Sequence, residues 1–263
     1  MADLSVLKET MELIDAREQV AVATITRATG SAPRGVGTMM AVLKDRKIIG
    51  TIGGGALENH VIDLSLDALK SGKSESHKLR LDDKKIGMIC GGEVDVFIDV
   101  YRNKPKLMIF GGGHVGFAIY EQALLLDFDI SIFDDREEFL NKERFPHASE
   151  LVMGDIEETL KDYKIDKNTY IVVVTRGHKC DQEALEMVVN SEAAYIGAMG
   201  SKKKVIEMME HLKEKGFSEE ILKRVYAPIG LDIASEEPKE IAVSIMSEVL
   251  LVKNKGNAEH RRL

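Results

Sequence analysis

Two cysteines, Cys90 and Cys180, are too few for a disulfide framework, so the chain must fold without covalent staples. No apolar run exceeds five residues, far short of the roughly 18–20 that span a bilayer. The opening Met1-Ala2-Asp3-Leu4 has neither the basic region nor the apolar core of a secretory leader. A basic excess is missing too, because 36 Lys and Arg stand against 44 Asp and Glu, a net charge of −8. Divided at Asn103, the first part holds 14 basic and 15 acidic residues and the second 22 and 29. Neither part carries the cationic surplus that binding to a phosphate backbone leaves in a sequence. The one dense basic run, Lys202-Lys203-Lys204, reads as the solvated first turn of a helix. Repeats and low-complexity tracts are lacking. The expectation is a soluble, cytoplasmic protein with no nucleic-acid and no membrane partner.

What is present is ordinary globular material: 44% apolar and 30% charged residues in 263, a length that suggests two domains. Leu4, Leu7, Met11 and Ile14 recur at helical spacing over Leu4 to Glu18. Strands are expected at Val20–Ile25, Thr38–Leu43 and Lys47–Thr51, then a helix from Ala56 to Leu69 and a strand at Val94–Ile98. Arg102-Asn103-Lys104-Pro105 breaks the pattern, so domains are set at 1–103 and 104–263. Beyond it, short apolar strands alternate with helices, the pattern of a parallel sheet covered on both faces. Strands are read at Leu107–Phe110, Ile130–Phe133, Leu151–Met153, Tyr170–Val174 and Ala194–Ile196. Helices are read near His114–Leu126, Asp155–Leu160 and Asp181–Val189, with another opening at Ser201. Pro238 starts a last helix with Ile241, Ile245, Val249 and Val252 on one face.

The chemistry begins at Gly111-Gly112-Gly113-His114-Val115-Gly116, a G-x-G-x-x-G run between an apolar strand and a helix. Gly111 permits a tight turn, Gly113 lets a phosphate approach the backbone, and Gly116 lets helix and strand pack closely. Amides at the helix start face the anion. Asp134, 23 residues after Gly111 at the end of the next strand, stands where an acid accepts hydrogen bonds from a ribose. His114 is either a contact to phosphate or an exposed helix-start histidine. The run Thr175-Arg176-Gly177-His178-Lys179-Cys180-Asp181 ends the strand beside the glycine loop, where a cluster of Arg176, His178, Cys180 and Asp181 suits contact with an anion or a metal complex. The competing readings are a ligand-free structural turn and an Asp181 that merely caps its helix.

Several stretches together resemble one family, the XdhC/CoxI accessory proteins of xanthine dehydrogenase and other molybdenum hydroxylases. In the first half they are Thr29-Gly-Ser-Ala-Pro-Arg34, Gly50-Thr-Ile-Gly-Gly-Gly-Ala-Leu-Glu58 and Cys90-Gly-Gly92. The second half adds the glycine loop, the Thr175–Asp181 run, Tyr195-Ile-Gly-Ala-Met-Gly-Ser201, Pro228-Ile-Gly-Leu-Asp232 and the tail from Pro238 to Ile245. Asp99 and Glu237 depart from the expected Glu and Thr or Ser, and Glu237 predicts a weaker cap on the last helix.

The resemblance implies an α/β protein, an N-terminal α+β domain of XdhC/CoxI type followed by a Rossmann-like doubly wound parallel sheet. It implies binding of molybdenum cofactor, as molybdopterin or its cytosine dinucleotide, with protection during sulfuration and insertion into an apo-hydroxylase. The implied partners are that xanthine dehydrogenase-type apoenzyme and a cysteine desulfurase, and a homodimer is left open. Ser31, Arg34, Gly53, Gly54, Gly55 and Glu58 become cofactor contacts beside Gly111, Gly113, His114, Gly116, Asp134, Arg176, His178 and Asp181. Cys90 is a candidate sulfur or metal contact, since thiolate is a soft ligand, or else a core thiol. No catalytic residue is assigned. An NAD(P)-dependent oxidoreductase, or a module sensing another nucleotide, stays open as the alternative.

Overall fold

A computed structural model describes residues 4–16, 18–81 and 91–259, with His178 described by its backbone alone. The chain divides into two compact units, Met1–Asn103 and Lys104–Leu263. No helix among the described residues is long and apolar enough to cross a membrane.

The first unit runs α1 (Leu4–Asp15), β1 (Val20–Thr29), β2 (Met39–Leu43), β3 (Ile48–Gly50), α2 (Gly55–Ser71), β4 (Glu75–Arg80) and β5 (Glu93–Tyr101). Its antiparallel sheet has the order β3-β2-β1-β5-β4. Because side chains alternate along a strand, β1 serves two layers. Ala21, Ala23 and Ile25 pack with Leu57 and Val61 of α2 on one face, while Val20 and Val22 meet Val6 of α1 on the other. That double burial is why β1 reads as a continuous apolar run. The register of β1 against β5 shifts between Ile25 and Arg27, where the chain leaves for the Gly30–Gly37 loop.

The second unit runs β6 (Lys106–Phe110), α3 (His114–Leu125), β7 (Asp129–Asp134), β8 (Glu150–Met153), α4 (Ile156–Leu160), β9 (Thr169–Val173) and α5 (His178–Val188). It continues with β10 (Tyr195–Ala198), α6 (Lys202–Glu214), α7 (Glu219–Leu222), β11 (Val225–Tyr226) and α8 (Pro238–Asn254). The sheet is parallel throughout, in the order β11-β10-β9-β6-β7-β8. This is the doubly wound Rossmann arrangement, and the direction of travel reverses between β6 and β9, where such sheets bind ligands. Leu107 and Ile109 of β6 pack with α3 and α8, and Met108 and Phe110 pack with α5 and α6 on the opposite face. All four are fully buried, so each costs about 2–5 kcal/mol when cut to alanine.

Local signals explain most boundaries. The Asp155 carboxylate accepts from the Glu157 and Glu158 amides at 2.9 and 3.3 Å, and the Ser201 hydroxyl accepts from Lys204 N–H at 3.3 Å. At α8 the weak cap expected from Glu237 is compensated: the Glu240 carboxylate accepts from the Glu236 and Glu237 amides at 3.3 and 3.4 Å. Helix α5 begins at His178 rather than Asp181, and β4, α7 and β11 were not expected at all.

At the N-terminal edge of this sheet, Glu150 accepts hydrogen bonds from Lys106 at 3.0 Å, Ser131 at 2.8 Å and the Tyr163 hydroxyl. Burial alone would raise the Glu150 carboxyl, but the bonds from Tyr163, Lys106 and Ser131 outweigh it and draw it down from 4.5 to about 2. A depressed folded value gives stability that is present above pH 4.5 and lost as pH falls toward 2. Glu150→Gln should therefore be less stable than the parent at pH 7 and converge with it at about pH 2. Urea unfolding across that range checks this; parallel curves at every pH would refute it.

Candidate nucleotide-binding crevice

The glycine loop separates into positions that packing requires and one that it does not. Gly111 has φ +114°, and a Cβ there would stand 2.5 Å from the Val174 carbonyl oxygen. A Cβ on Gly116 would stand 1.8 Å from the Gly111 oxygen, and one on Gly112 2.4 Å from the Phe139 oxygen. Gly113 differs, with φ −65° and no heavy atom within 4 Å of its Cβ direction. Packing does not call for glycine there, but close approach by a ligand does. The first bond of α3 runs from Phe117 N–H to Gly113 O, so the amides before Phe117 face the open space with the positive end of the helix dipole.

A cation braces the loop from behind. Arg144 donates from Nε to Gly112 O at 3.3 Å and from an Nη to Gly113 O at 3.5 Å, with its guanidinium 4.6 Å from the centre of the Phe117 ring. Sequence reasoning missed Arg144, because it lies in an irregular segment whose spacing from the loop follows no period.

Two expected contacts are spoken for by the protein itself. The Asp134 side chain, 3% exposed, accepts from Gly112 N–H at 2.7 Å, Arg136 N–H at 3.0 Å and the Arg136 guanidinium twice at 2.8 Å. Burial pushes its carboxyl up, but these bonds, led by the Arg136 side chain, hold it below its ordinary 3.8. Asp134, expected to accept from a ribose, lines the crevice and ties the glycine loop to the end of β7 through these bonds. Asp181, also expected to face a ligand, is 1% exposed. It accepts from Thr175 N–H at 3.2 Å and Thr175 Oγ1 at 2.5 Å, and it pairs with the Lys204 ammonium. A buried carboxylate needs such partners, and these leave it no face for a ligand.

The remaining candidates are more open. His114 is the exposed first residue of α3, and His178 opens α5. Arg176 is exposed and donates to Asp135 at 3.1 Å. Gly111, Asp134, Asp135, Arg136, Arg176 and Cys180 are among the residues lining a cleft of about 500 Å³ at the C-terminal edge of β6, β7 and β9. Burial, then the nearby Asp135 and Glu183 carboxylates, pushes the Cys180 thiol up, so it is a poor thiolate.

In the first unit the motif stretches also converge. Gly53, Gly54 and Gly55 hold successive φ values of +133°, +73° and +62°, a left-handed path that side chains disfavour. A Cβ on Gly53 would lie 2.7 Å from Pro33 Cγ and 3.5 Å from Arg34 Cγ. One on Gly92 would lie 2.9 Å from Thr29 O and 3.1 Å from Ser31 O. The Gly53–Gly55 turn, the exposed Ser31 and Arg34, and the Gly91–Gly92 step are thus neighbours. Glu58 is drawn inward, accepting from Thr51 Oγ1 and from Gly54 N–H at 3.3 Å. Cys90 lies outside the described residues. Among the described residues no three His, Cys, Asp or Glu are grouped to hold a metal ion.

Comparison with known proteins agrees with this architecture. Residues 107–249 match the XdhC Rossmann domain and residues 13–82 the XdhC and CoxI family. Escherichia coli YqeB is 36% identical over 95% of this chain and 47% of its own length. A Bacillus subtilis protein named as a probable xanthine dehydrogenase subunit is 26% identical over 61% of this chain and 47% of its own. The chain therefore spans about half the length of these two relatives. The Escherichia coli molybdenum cofactor insertion chaperone PaoD is 20% identical over 95% of this chain and 88% of its own. The crystal structure of a Bacillus halodurans protein described as a xanthine dehydrogenase shares the fold, with a TM-score of 0.54 and 20% identity over 98% of this chain and 97% of that one. From its first unit through its Rossmann sheet, the chain belongs to the XdhC and CoxI family.

Proposed function

We propose that the chain is an accessory protein for a molybdenum hydroxylase of the xanthine dehydrogenase type. It binds molybdenum cofactor as cargo, shelters it while a cysteine desulfurase supplies sulfur, and assists its insertion into the apoenzyme. The observation that carries this reading is the open Gly113 position, braced by Arg144 and facing the start of α3. A pterin bearing a phosphate or a cytosine dinucleotide tail presents the anion that such a cradle takes. The name of PaoD, with which the chain aligns over 95% of its length, supports the cargo. Ser31, Arg34 and the amides of Gly53–Gly55 are further cofactor contacts in this proposal, considered within the first unit by itself. Calorimetric titration with both cofactor forms, beside NAD and NADP, tests it. Cofactor binding is expected; binding of NAD or NADP alone would put the oxidoreductase in its place.

Cys90 carries the sulfur chemistry in this proposal. Cys90→Ser keeps the side-chain size but removes the soft ligand. It should fold normally yet activate an apo-hydroxylase severalfold less well than the parent, while Cys180→Ser should do nearly as well as the parent. Full activation by the Cys90→Ser protein would return that thiol to the core.

A further inference from the structure

Resting on the nucleotide-binding reading of the crevice, we propose that Lys204 is a positioning residue for ligand binding, acting through Asp181 on the turn after β9. Lys204 lies in the first turn of α6 and is not among the described residues that line the cleft. Its ammonium meets Asp181 Oδ2, while Asp181 Oδ1 accepts from the N–H of Thr175 at 3.2 Å and from its hydroxyl at 2.5 Å. One carboxylate oxygen thus serves α6 and the other serves the turn. Thr175 in its turn abuts the glycine loop, since a Cβ on Gly111 would stand 2.5 Å from Val174 O and 3.0 Å from Thr175 Cα. Thr175 and Arg176 line the cleft together with Gly111. Contact therefore runs from α6 through Asp181 to the turn, and from the turn to the glycine loop.

Two observations give Lys204 this role. Asp181 is 1% exposed, and a carboxylate so deep keeps its charge only while it is paired. With Oδ2 fixed by the ammonium, Oδ1 is held toward Thr175. The path of the Lys204 stem is also kept clear, because a Cβ on Gly200 would stand 3.2 Å from Lys204 Cδ and 3.4 Å from its Cβ and Cγ. The Tyr195–Ser201 stretch after β10 thereby serves the crevice without touching its ligand. On the opposite side, Asp134 ties Gly112 to the end of β7 at 2.7 Å. The glycine loop is set between two buried carboxylates, and Lys204 orients the one on the β9 side.

The test titrates cytidine diphosphate into the parent and three variants, beside thermal unfolding of each. Lys204→Arg keeps a cation on Asp181 and should retain most of the parent's affinity. Lys204→Met should bind about tenfold more weakly, as when the partner behind a binding group is removed. Titration in about 0.3 M salt screens the missing charge itself. The double variant Lys204→Met/Asp181→Leu has the parent's net charge and no unpaired buried carboxylate. Its Tm should return toward the parent's, because apolar replacement of a buried ion pair is close to neutral for folding. Its affinity should stay about tenfold low, because the turn has lost its anchor. A merely structural pair would recover affinity together with Tm. Parent-like affinity in the folded double variant overturns the assignment and leaves the crevice reading standing. Should the double variant not fold, parent-like affinity in Lys204→Met does the same. Failure of the parent to bind cytidine diphosphate removes the crevice reading and this assignment with it.

Discussion

Gly113→Val should weaken binding of a phosphate-bearing ligand by about a hundredfold or more while the ligand-free protein stays folded, and Gly116→Val should unfold the Rossmann unit. The contrast follows from where each new Cβ would go. At Gly116 it would stand 1.8 Å from the Gly111 carbonyl oxygen, a backbone atom at the tightest point of the loop. Gly111 cannot retreat, since its own Cβ direction is already blocked by Val174 O at 2.5 Å. Relief requires α3 to separate from β6, so a loss of about 4 kcal/mol or more is expected. At Gly113 the new side chain meets nothing within 4 Å and the backbone needs no left-handed conformation. Its cost to folding is that of a poorer residue at the N-cap of α3, about 1 kcal/mol, or a few degrees in Tm. The valine instead fills the volume through which a phosphate reaches the amides. Thermal unfolding and titration of both variants decide the matter. Parent-like binding by Gly113→Val would place the ligand elsewhere.

Asp134→Ala should cost about 1–3 kcal/mol in the absence of any ligand, because it leaves the partly buried Arg136 guanidinium and the Gly112 amide without their acceptor. A free ribose acceptor would instead lose affinity at unchanged stability, so denaturant unfolding of the empty protein separates the two roles. The effect also depends on pH. The folded Asp134 carboxyl lies below its ordinary 3.8, so its contribution is present above that value and lost as pH falls through the folded one. Parent and variant should therefore differ most near neutrality and converge in acid well below pH 3.8. Equal stability at pH 7 would return Asp134 to the ligand.

Short-range features were legible. The alternation after Pro105 announced a parallel sheet because its strands, buried on both faces, must be apolar throughout. Asp155 and Ser201 announced helix starts because a cap is made within three residues of itself. Features formed by distant partners were not. Strand β4 has the polar sequence Glu75-Ser-His-Lys-Leu-Arg80 and exists because β5 offers it an edge. Two-residue β11 and four-residue α7 are too short for any period to show.

The same division runs through the candidate site. By itself the sequence determined that a glycine turn would sit between a buried strand and a helix, because Gly111, Gly113 and Gly116 act through backbone geometry that spacing encodes. It also determined that an acid would end the next strand. How the acids at the crevice are partnered was decided only in three dimensions. Arg136 reaches back to Asp134 and the Gly112 amide closes on the same carboxylate, so Asp134 spends its oxygens on the protein while Asp135 beside it stays half-exposed, and both line the crevice. Asp181 was likewise taken by Lys204 from another helix, and Arg144 was brought to the loop from a segment without periodicity. Backbone turns are written locally, but a charge's role depends on which opposite charge the fold carries to it, and that is a tertiary fact.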